Sequence, residues 1–481
     1  MSAAAKAIAA QGLARRALSL GVVKALDQGL QFLLPIVLVR CLDAATFGEY
    51  RLLWLAVGTL IGVATLNMAG TLYFFLPRSE PDKKRLYIHQ TMLYLAAVGI
   101  LCGLLVSPLN PLLPEAAREL TKHGALVPVF IAVWFAALLI EYLPTIDERI
   151  GWAATATMSI SMVRVVLLAA GAWLTGDMNV ILWLLIAAAV LKLGLLFFYV
   201  WRHHGLARPW FDRAVFSSQF RHSAPIGLSA ALYGLRGQVD QWVAATLFAL
   251  HSFAAFSIAA ILGQIVNLFR NSVLEAFLPS MSRMQAAGEM QGMMDMNAKA
   301  NVLVAGLLYP MLGFVVVYAE DIITLVYTAS YLEAAPVMRI YAIDMMLLAV
   351  EVGSLLLLLR QGPYAIAVNA VALALSATAS LAGALFFGLP GAALGSVVAL
   401  LLDRAMTLRR IAKAASIPLA RLQDWRGLAR TALIAAGGSL LAWGMTQAFF
   451  AHAAPIARLA AGSVVLAAIY ALFILRRGSR K

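Results

Sequence analysis

The sequence predicts an all-α, polytopic membrane protein with 14 transmembrane helices. Of its 481 residues, 62% are apolar and only 12% are Asp, Glu, Lys or Arg, whereas about 25% of the residues of a soluble domain are charged. The apolar residues gather into stretches of about 20, the length that spans a hydrocarbon layer of roughly 30 Å. Because so little charge is available to cover a surface in water, a soluble enzyme is excluded.

Taken in chain order, 14 apolar stretches qualify as spans, and two basic-aromatic connectors divide them into groups of six, six and two. We therefore expect a first lobe (1–217), a second lobe (218–411) and a terminal pair (412–481). The connector at 202–222 is typical of an amphipathic helix at the membrane surface. The predicted spans are 18–40, 52–76, 86–108, 124–143, 151–175, 179–201, 223–247, 253–278, 300–319, 334–359, 364–387, 390–411, 428–450 and 456–475.

The basic residues indicate the orientation of these spans. The chain has 37 Lys and Arg against 23 Asp and Glu, a net charge of +14. If the amino terminus and every second loop are cytoplasmic, the segments on that side hold 26 basic residues, the opposite loops hold 6, and 5 remain inside spans. Cytoplasmic loops are enriched in Lys and Arg. The pattern predicts a multi-pass membrane protein with both termini cytoplasmic and an uncleaved first span.

The two six-span groups repeat a short pattern. An Asp-Gln pair at Asp27 in span 1 recurs at Asp240 in span 7, and a Phe-Leu-Pro sequence starting at Phe75 recurs at Phe277. Transporters use such repeats to enclose a central site. Both leading spans also contain helix breakers, which favour either hinges beside a site or close packing of small residues: Gly21, Gly29, Pro35, Pro225, Gly227, Gly234 and Gly237.

Five basic residues lie inside spans: Lys24, Arg164, Lys192, Arg236 and Arg270. Each costs about 2.5–3.5 kcal/mol at the centre of a membrane helix. Lys24 with Asp27, and Arg236 with Asp240, are three and four residues apart, so each pair shares one helix face. Each pair is either a neutralised structural contact between spans or part of the site, with Lys24 and Arg236 as substrate-binding candidates. The other three have no partner within four residues. They favour a cavity for an anionic, phosphate-bearing substrate, the alternative being side chains that reach the membrane surface.

Acidic residues inside spans are candidates for coupling transport to a proton or sodium ion. Asp344 and Glu351 are seven residues apart, which predicts a bare double carboxylate on one face of span 10; helix–helix hydrogen bonding is the alternative. The full set of predicted coupling residues is Asp27, Asp240, Glu275, Asp344 and Glu351.

Motifs for other chemistry are missing from the sequence. No Gly-Lys dipeptide occurs, so the chain has no ATP-binding loop of the kind that cradles phosphates. Cys and His residues do not have metal-ligand spacing, and the pair at His203 and His204 is expected to be solvated in a loop. We expect no catalytic activity, no cofactor, no metal and no nucleic-acid partner.

The segment 38–50 resembles the opening of bacterial polysaccharide flippases, in which span 1 ends in a basic residue and an aromatic-Gly-x-aromatic piece enters span 2; here these are Arg40 and the residues 47–50. Those proteins belong with the multidrug-and-toxin-extrusion transporters and the peptidoglycan-precursor flippase. The resemblance implies a V-shaped pair of six-helix lobes around a cationic cavity. It also implies export of an oligosaccharide linked through pyrophosphate to a polyprenol, in exchange for H⁺ or Na⁺.

The resemblance adds Arg51 to the predicted substrate-binding residues, since Lys24, Arg51 and Arg270 occupy places comparable to basic residues of that family. Membrane lipids, a polysaccharide polymerase and glycosyltransferases are the expected partners, in surface or exopolysaccharide synthesis. One alternative is a drug or cation antiporter of the same fold. Another is a membrane polymerase or ligase, which would need a long outer loop that this chain lacks.

Overall fold

The computed structural model describes residues 26–111 and 113–478, and these residues form helices without strands. Lys24 and Gly21 lie outside the described residues. The helices of the first half are α1 (26–41), α2 (Ala44–Ala64), α3 (Leu72–Phe75), α4 (Pro81–Leu105), α5 (Glu115–Arg118), α6 (Leu126–Ala136), α7 (Leu143–Ile146), α8 (Ile150–Thr175), α9 (Met178–His203) and α10 (Arg213–Arg236).

The second half continues with longer helices. They are α11 (Val239–Leu247), α12 (Leu250–Ala260), α13 (Leu262–Ala286), α14 (Met290–Val326), α15 (Ala334–Leu348), α16 (Gly353–Leu358), α17 (Gly362–Ala415), α18 (Trp425–Phe450) and α19 (Pro455–Gly478). Short 3₁₀ turns connect several of these helices: Leu76–Arg78, Glu119–His123, Leu138–Glu141, Ala329–Tyr331 and Leu419–Arg421.

Nine helices in the described ranges are long and apolar enough to cross a membrane, or ten if α6 and α7 count as one bent span. This confirms the predicted class of all-α membrane protein. Helix α17 contains two predicted spans, since its 54 residues bend at Gly388, whose φ is +65°. The two arms pack so closely that a Cβ on Gly383 would lie 2.2 Å from the Gly391 carbonyl oxygen. The 14 predicted spans are consistent with these helices.

The chain divides into two compact units, one up to Leu235 and the other from Arg236 onward. The terminal pair, α18 and α19, belongs to the second unit, and the start of span 7 belongs to the first. In the first unit, a Cβ on Gly227 of α10 would lie 2.3 Å from the backbone of Leu66, and the Ser223 hydroxyl donates to the Leu66 carbonyl. Only glycine permits this close approach of α10 to the end of span 2.

Breaks interrupt several predicted spans. Span 7 breaks between α10 and α11, beside Gly237, one of its helix breakers. In α1, by contrast, the described turns pass Gly29 and Pro35 without interruption. Membrane helices tolerate a proline where neighbouring groups satisfy the freed carbonyl. Spans 4 and 10 are also broken, by the turn Leu138–Glu141 and by 349–352.

Candidate functional site: buried charges in both units

A buried lysine lies at the break in span 4. The side chain of Lys192, on α9, is 2% exposed and forms an ion pair with Glu141 of the 3₁₀ turn Leu138–Glu141. Its Nζ also lies 4.1 Å from the centre of the Trp134 ring, a favourable cation–π distance. Lys192 was predicted to be unpaired, and this is wrong. Its partner comes from another helix, which spacing within one helix cannot reveal.

Arg164, on α8, completes an aromatic–cation cluster, which we define as Trp54, Trp134, Glu141, Arg164 and Lys192. Its guanidinium carbon lies 5.6 Å and 5.8 Å from the Trp54 and Trp134 ring centres, and the two rings are 5.3 Å apart and nearly perpendicular. Neither Arg164 Nε nor Trp54 Nε1 has a hydrogen-bond partner among the described residues. With two cations and one carboxylate, the cluster is net positive and retains unused donors.

Two further predicted residues lie near this cluster along their helices. Arg51 lies on α2, three residues before Trp54, and is part-buried. Asp27, on α1, accepts hydrogen bonds from the Ser161 hydroxyl of α8 and from Gln31 Nε2, at 2.8 Å in the latter case. The predicted pairing of Asp27 with Lys24 lies outside the described residues.

In the second unit, Arg236 does not pair with Asp240. Its guanidinium lies 3.4 Å from Asp403 and 3.3 Å from the Asn369 side-chain oxygen, both on α17. The predicted pair fails because α10 ends at Arg236 and α11 begins at Val239, so the two residues do not share one helix face. Asp403 also contacts Arg404 at 3.2 Å. Arg404 also lies within α17 and helps to neutralise this buried carboxylate.

Asp240 is 1% exposed and is satisfied by hydroxyl groups. Tyr341 of α15 donates to it at 2.8 Å, and Ser396 of α17 donates at 2.5 Å. The neighbouring Asp344 is also buried, and its Oδ1 has no hydrogen-bond partner among the described residues. Asp344 lies three residues after Tyr341 on α15, one turn from the hydroxyl that donates to Asp240. These helices thus bring two carboxylates together that the sequence separates by 104 positions.

Arg270 is paired as well, at the break in span 10. Its Nη1 lies 2.8 Å from Glu351 Oε2, and both side chains are about one-tenth exposed. The prediction of an unpaired Arg270 is therefore wrong. The prediction of a bare Asp344–Glu351 face is also wrong, because α15 ends at Leu348 and Glu351 lies in the non-helical break before α16.

The remaining predicted residues are placed as follows. Glu275 lies on α13, but its side chain is outside the described part of the chain. His204 is not solvated: its ring nitrogen lies 2.7 Å from Asp147, and its side chain is 12% exposed. Among the described residues, no group of three or more His, Cys, Asp or Glu could hold a metal ion. Residues 213–222 of the 202–222 connector belong to α10, which continues through the first part of span 7 as far as Arg236.

Four residues that contact the buried charges described above were not identified from the sequence: Trp54, Trp134, Asp403 and Arg404. Asp403 and Glu141 are acidic residues toward the ends of predicted spans, and this position was the available signal for their role. The tryptophans carried no signal, since an aromatic residue in a membrane span is usually packing.

Comparisons with known proteins agree with this architecture. The computed structure is similar to a lipid II flippase, MurJ, in an inward closed conformation, with a TM-score of 0.65 and 13% identity over 94% of this chain and 98% of the other. It is similar to an inward-facing multidrug resistance MATE family transporter of the MOP superfamily (TM-score 0.59, 14% identity, 81% and 96% covered). A mutant of the Vibrio cholerae MATE transporter VcmN gives a TM-score of 0.56 and 14% identity, with 85% and 98% covered.

At these identities the structural likenesses show the fold alone. No curated protein matches the chain by sequence. The family model described as "Polysaccharide biosynthesis protein" matches residues 13–285, more than half of the 481 residues. The chain, an all-helical membrane protein with the fold of flippases and MATE transporters, therefore belongs to the polysaccharide biosynthesis protein family.

Proposed function

We propose that this protein is a flippase that moves an oligosaccharide, linked through pyrophosphate to a polyprenol, from the cytoplasmic to the periplasmic leaflet of the bacterial inner membrane. Transport by alternating access would be coupled to an H⁺ or Na⁺ gradient, beside the glycosyltransferases and polymerase of surface or exopolysaccharide synthesis. The observation that carries the proposal is the net-positive aromatic–cation cluster within apolar helices of a polysaccharide biosynthesis family member.

Arg164 is the best candidate for a phosphate ligand in this cluster. A guanidinium can present two parallel N–H groups to a phosphate, and the Arg164 side chain has π contacts rather than a carboxylate partner among the described residues. Lys192 can join it, because its partner Glu141 is 51% exposed. Water can therefore solvate Glu141 when Lys192 turns to a phosphate. Arg51, Arg236 and Lys24 remain proposed contributors, and Arg270 is a weaker candidate because Glu351 already neutralises it.

Coupling to a cation gradient would use carboxylates that can change protonation or bind an ion. Asp27 qualifies because its partners among the described residues, Ser161 and Gln31, are neutral. Asp240 and Asp344 qualify because both are buried and lie on either side of Tyr341, so they could share a proton or a bound cation. Glu351 is less suitable, since Arg270 already neutralises it. Glu275 is retained on its sequence position alone.

Export assays with Arg164 variants test the proposal. In a deletion strain that carries the gene on a plasmid, Arg164→Gln should lower glycan export by about tenfold or more, since a hydrogen bond to a charged group contributes roughly 1.5–3 kcal/mol. Arg164→Lys should be intermediate, because it keeps the charge and loses the planar fork. Arg202→Gln, an exposed change on α9, is the control. Wild-type export by Arg164→Gln at equal protein abundance would contradict the proposal.

A drug antiporter is the second candidate, and one specific observation favours it. Trp54 has ring contacts with Tyr50, Phe130 and Trp134, and such an aromatic wall also suits an organic cation. The deletion strain distinguishes the two functions. Accumulation of undecaprenyl-pyrophosphate oligosaccharide on the cytoplasmic face would support the flippase. Normal glycan export with altered drug sensitivity would support the antiporter.

A further inference from the structure

A polar pocket lies in the second unit, away from the charges discussed above. Helices α14, α15, α18 and α19 surround a cavity of about 440 Å³, within the range of about 300–1,000 Å³ that is usual for small-molecule sites. None of its polar residues was selected from the sequence as a functional residue. The side chains that matter for its chemistry are Glu320, Asp321, Arg339, Trp443, Gln447 and Arg458.

The walls of this pocket are fixed by close packing. Helix α14 is kinked at Tyr318, whose hydroxyl lies 2.8 Å from the Thr446 hydroxyl of α18. Helix α19 approaches the same ring so closely that a Cβ on Gly462 would lie 2.3 Å from the Tyr318 hydroxyl oxygen. The terminal pair is therefore anchored to α14, and a pocket between anchored helices loses little entropy when a ligand binds.

The charges in the pocket balance. Arg339 Nη2 lies 2.9 Å from Glu320, and Arg458 forms an ion pair with Asp321. Arg339 Nε also donates to the Val316 carbonyl at 3.1 Å. With two cations and two carboxylates, the pocket favours neither an anion, which would meet both carboxylates, nor a cation. Neutral hydroxyl groups fit better, since each can donate to a carboxylate and accept from a guanidinium.

Trp443 adds an apolar platform. Its side chain is 42% exposed, and Gln447 lies one turn later on the same face of α18. A ring with an apolar face next to planar polar groups matches a sugar, which has both C–H faces and hydroxyl groups. We infer that this pocket binds a neutral glycosyl unit. In the predicted orientation it faces the periplasm. There it would hold the glycan that has just crossed, so the inference rests on the proposed function for the origin of its ligand.

Binding measurements on the full-length protein in lipid nanodiscs test this inference. The probe is the free glycan released by mild acid from the polyprenyl-pyrophosphate pool of the expressing cells, titrated by calorimetry. Trp443→Ala should raise the Kd by about tenfold or more, and Gln447→Ala by about threefold. Trp173→Ala, which removes a lipid-exposed ring from α8, is the matched control and should bind as the wild type does.

Several results would overturn the inference: no saturable binding by the wild type, or Trp443→Ala and Gln447→Ala both within twofold of it. Displacement of the glycan by inorganic phosphate or by phosphatidylglycerol would also overturn it, because an anion site would then be indicated. Failure of the flippase proposal gives a different result. Export would then be unaffected by Arg164→Gln, while the Trp443-dependent binding of free glycan would persist.

Discussion

Spans 4 and 10 occupy equivalent places in the two predicted six-span groups, and both are broken at a glutamate. In the first unit, Glu141 lies in the break and pairs with Lys192 of α9. In the second unit, Glu351 lies in the break and pairs with Arg270 of α13. In both units, a break in one span therefore supplies the carboxylate that neutralises a basic residue of another span.

The two pairs differ in how firmly they are held. The backbone of Glu351 accepts hydrogen bonds from Asn297 and Asn301 at 3.1 Å each and donates to Asn301, and its carboxylate accepts from the Ser354 N–H. Glu141 is half-exposed, and the Trp134 ring is the other neighbour of its lysine. We infer that the pair of the second unit is structural. We propose that the pair of the first unit can instead exchange its carboxylate for a substrate phosphate.

The largest expected effect is on the structural pair. Arg270→Met should destabilise the protein by about 3–5 kcal/mol, because removing one member of a buried ion pair leaves the other charge uncompensated. Thermal unfolding in detergent and abundance in membranes measure this loss. Arg85→Met is the control, since its partner Asp82 is 88% exposed and such pairs contribute little. Equal losses in the two variants would remove the distinction between a structural pair and a surface pair.

A smaller effect is expected at the first pair, and on transport rather than stability. Lys192→Met keeps a long apolar stem against Trp134, so it should lower glycan export several-fold while protein abundance stays near the wild-type level. Glu141→Gln should leave export unchanged or raised, because it removes the competitor of a phosphate for Lys192. Export and unfolding temperature are measured together. If Glu141→Gln destabilises the protein as much as Glu351→Gln does, both pairs are structural. The proposal that Lys192 exchanges Glu141 for a substrate phosphate would then be wrong.

The two ion pairs also show which features of the structure can be predicted from the sequence and which cannot. Composition and apolar length predicted the helical membrane class and most helix positions, because a bilayer imposes both on any chain that crosses it. The depth of Lys192 and Arg270 was also predictable. Their partners were not, since spacing along one helix reports only on neighbours three or four residues away, whereas Glu141 and Glu351 are 51 and 81 positions distant.

The breaks themselves were harder to predict than the spans. The break after Arg236 has Gly237 as a signal, and the bend of α17 has Gly388 and Pro390. The break at Glu351 precedes Gly353, but Glu351 fits a helical pattern with Asp344 equally well. Only contacts with Asn297 and Asn301 of α14 favour the broken form. The polar pocket could not be predicted from the sequence either, because its lining residues come from four helices that only the fold brings together.

The smallest predicted effect concerns a pH-dependent ion pair of the first unit. In the loop before α6, the His123 ring lies 3.2 Å from Glu49 and 2.8 Å from Asn179, and its side chain is 8% exposed. The hydrogen bond to Glu49 raises the pKa of His123 above its ordinary value of 6.5. A raised pKa means that the stabilisation is complete below pH 6.5 and is lost as the pH rises through the folded-state pKa.

His123→Gln should therefore lower the unfolding temperature at pH 6 and have little effect at pH 8.5, with a loss of about 1 kcal/mol at most. The exposed His452, near the start of α19, gives the control variant His452→Gln. Equal destabilisation by His123→Gln at both pH values would mean that Glu49 holds a neutral ring.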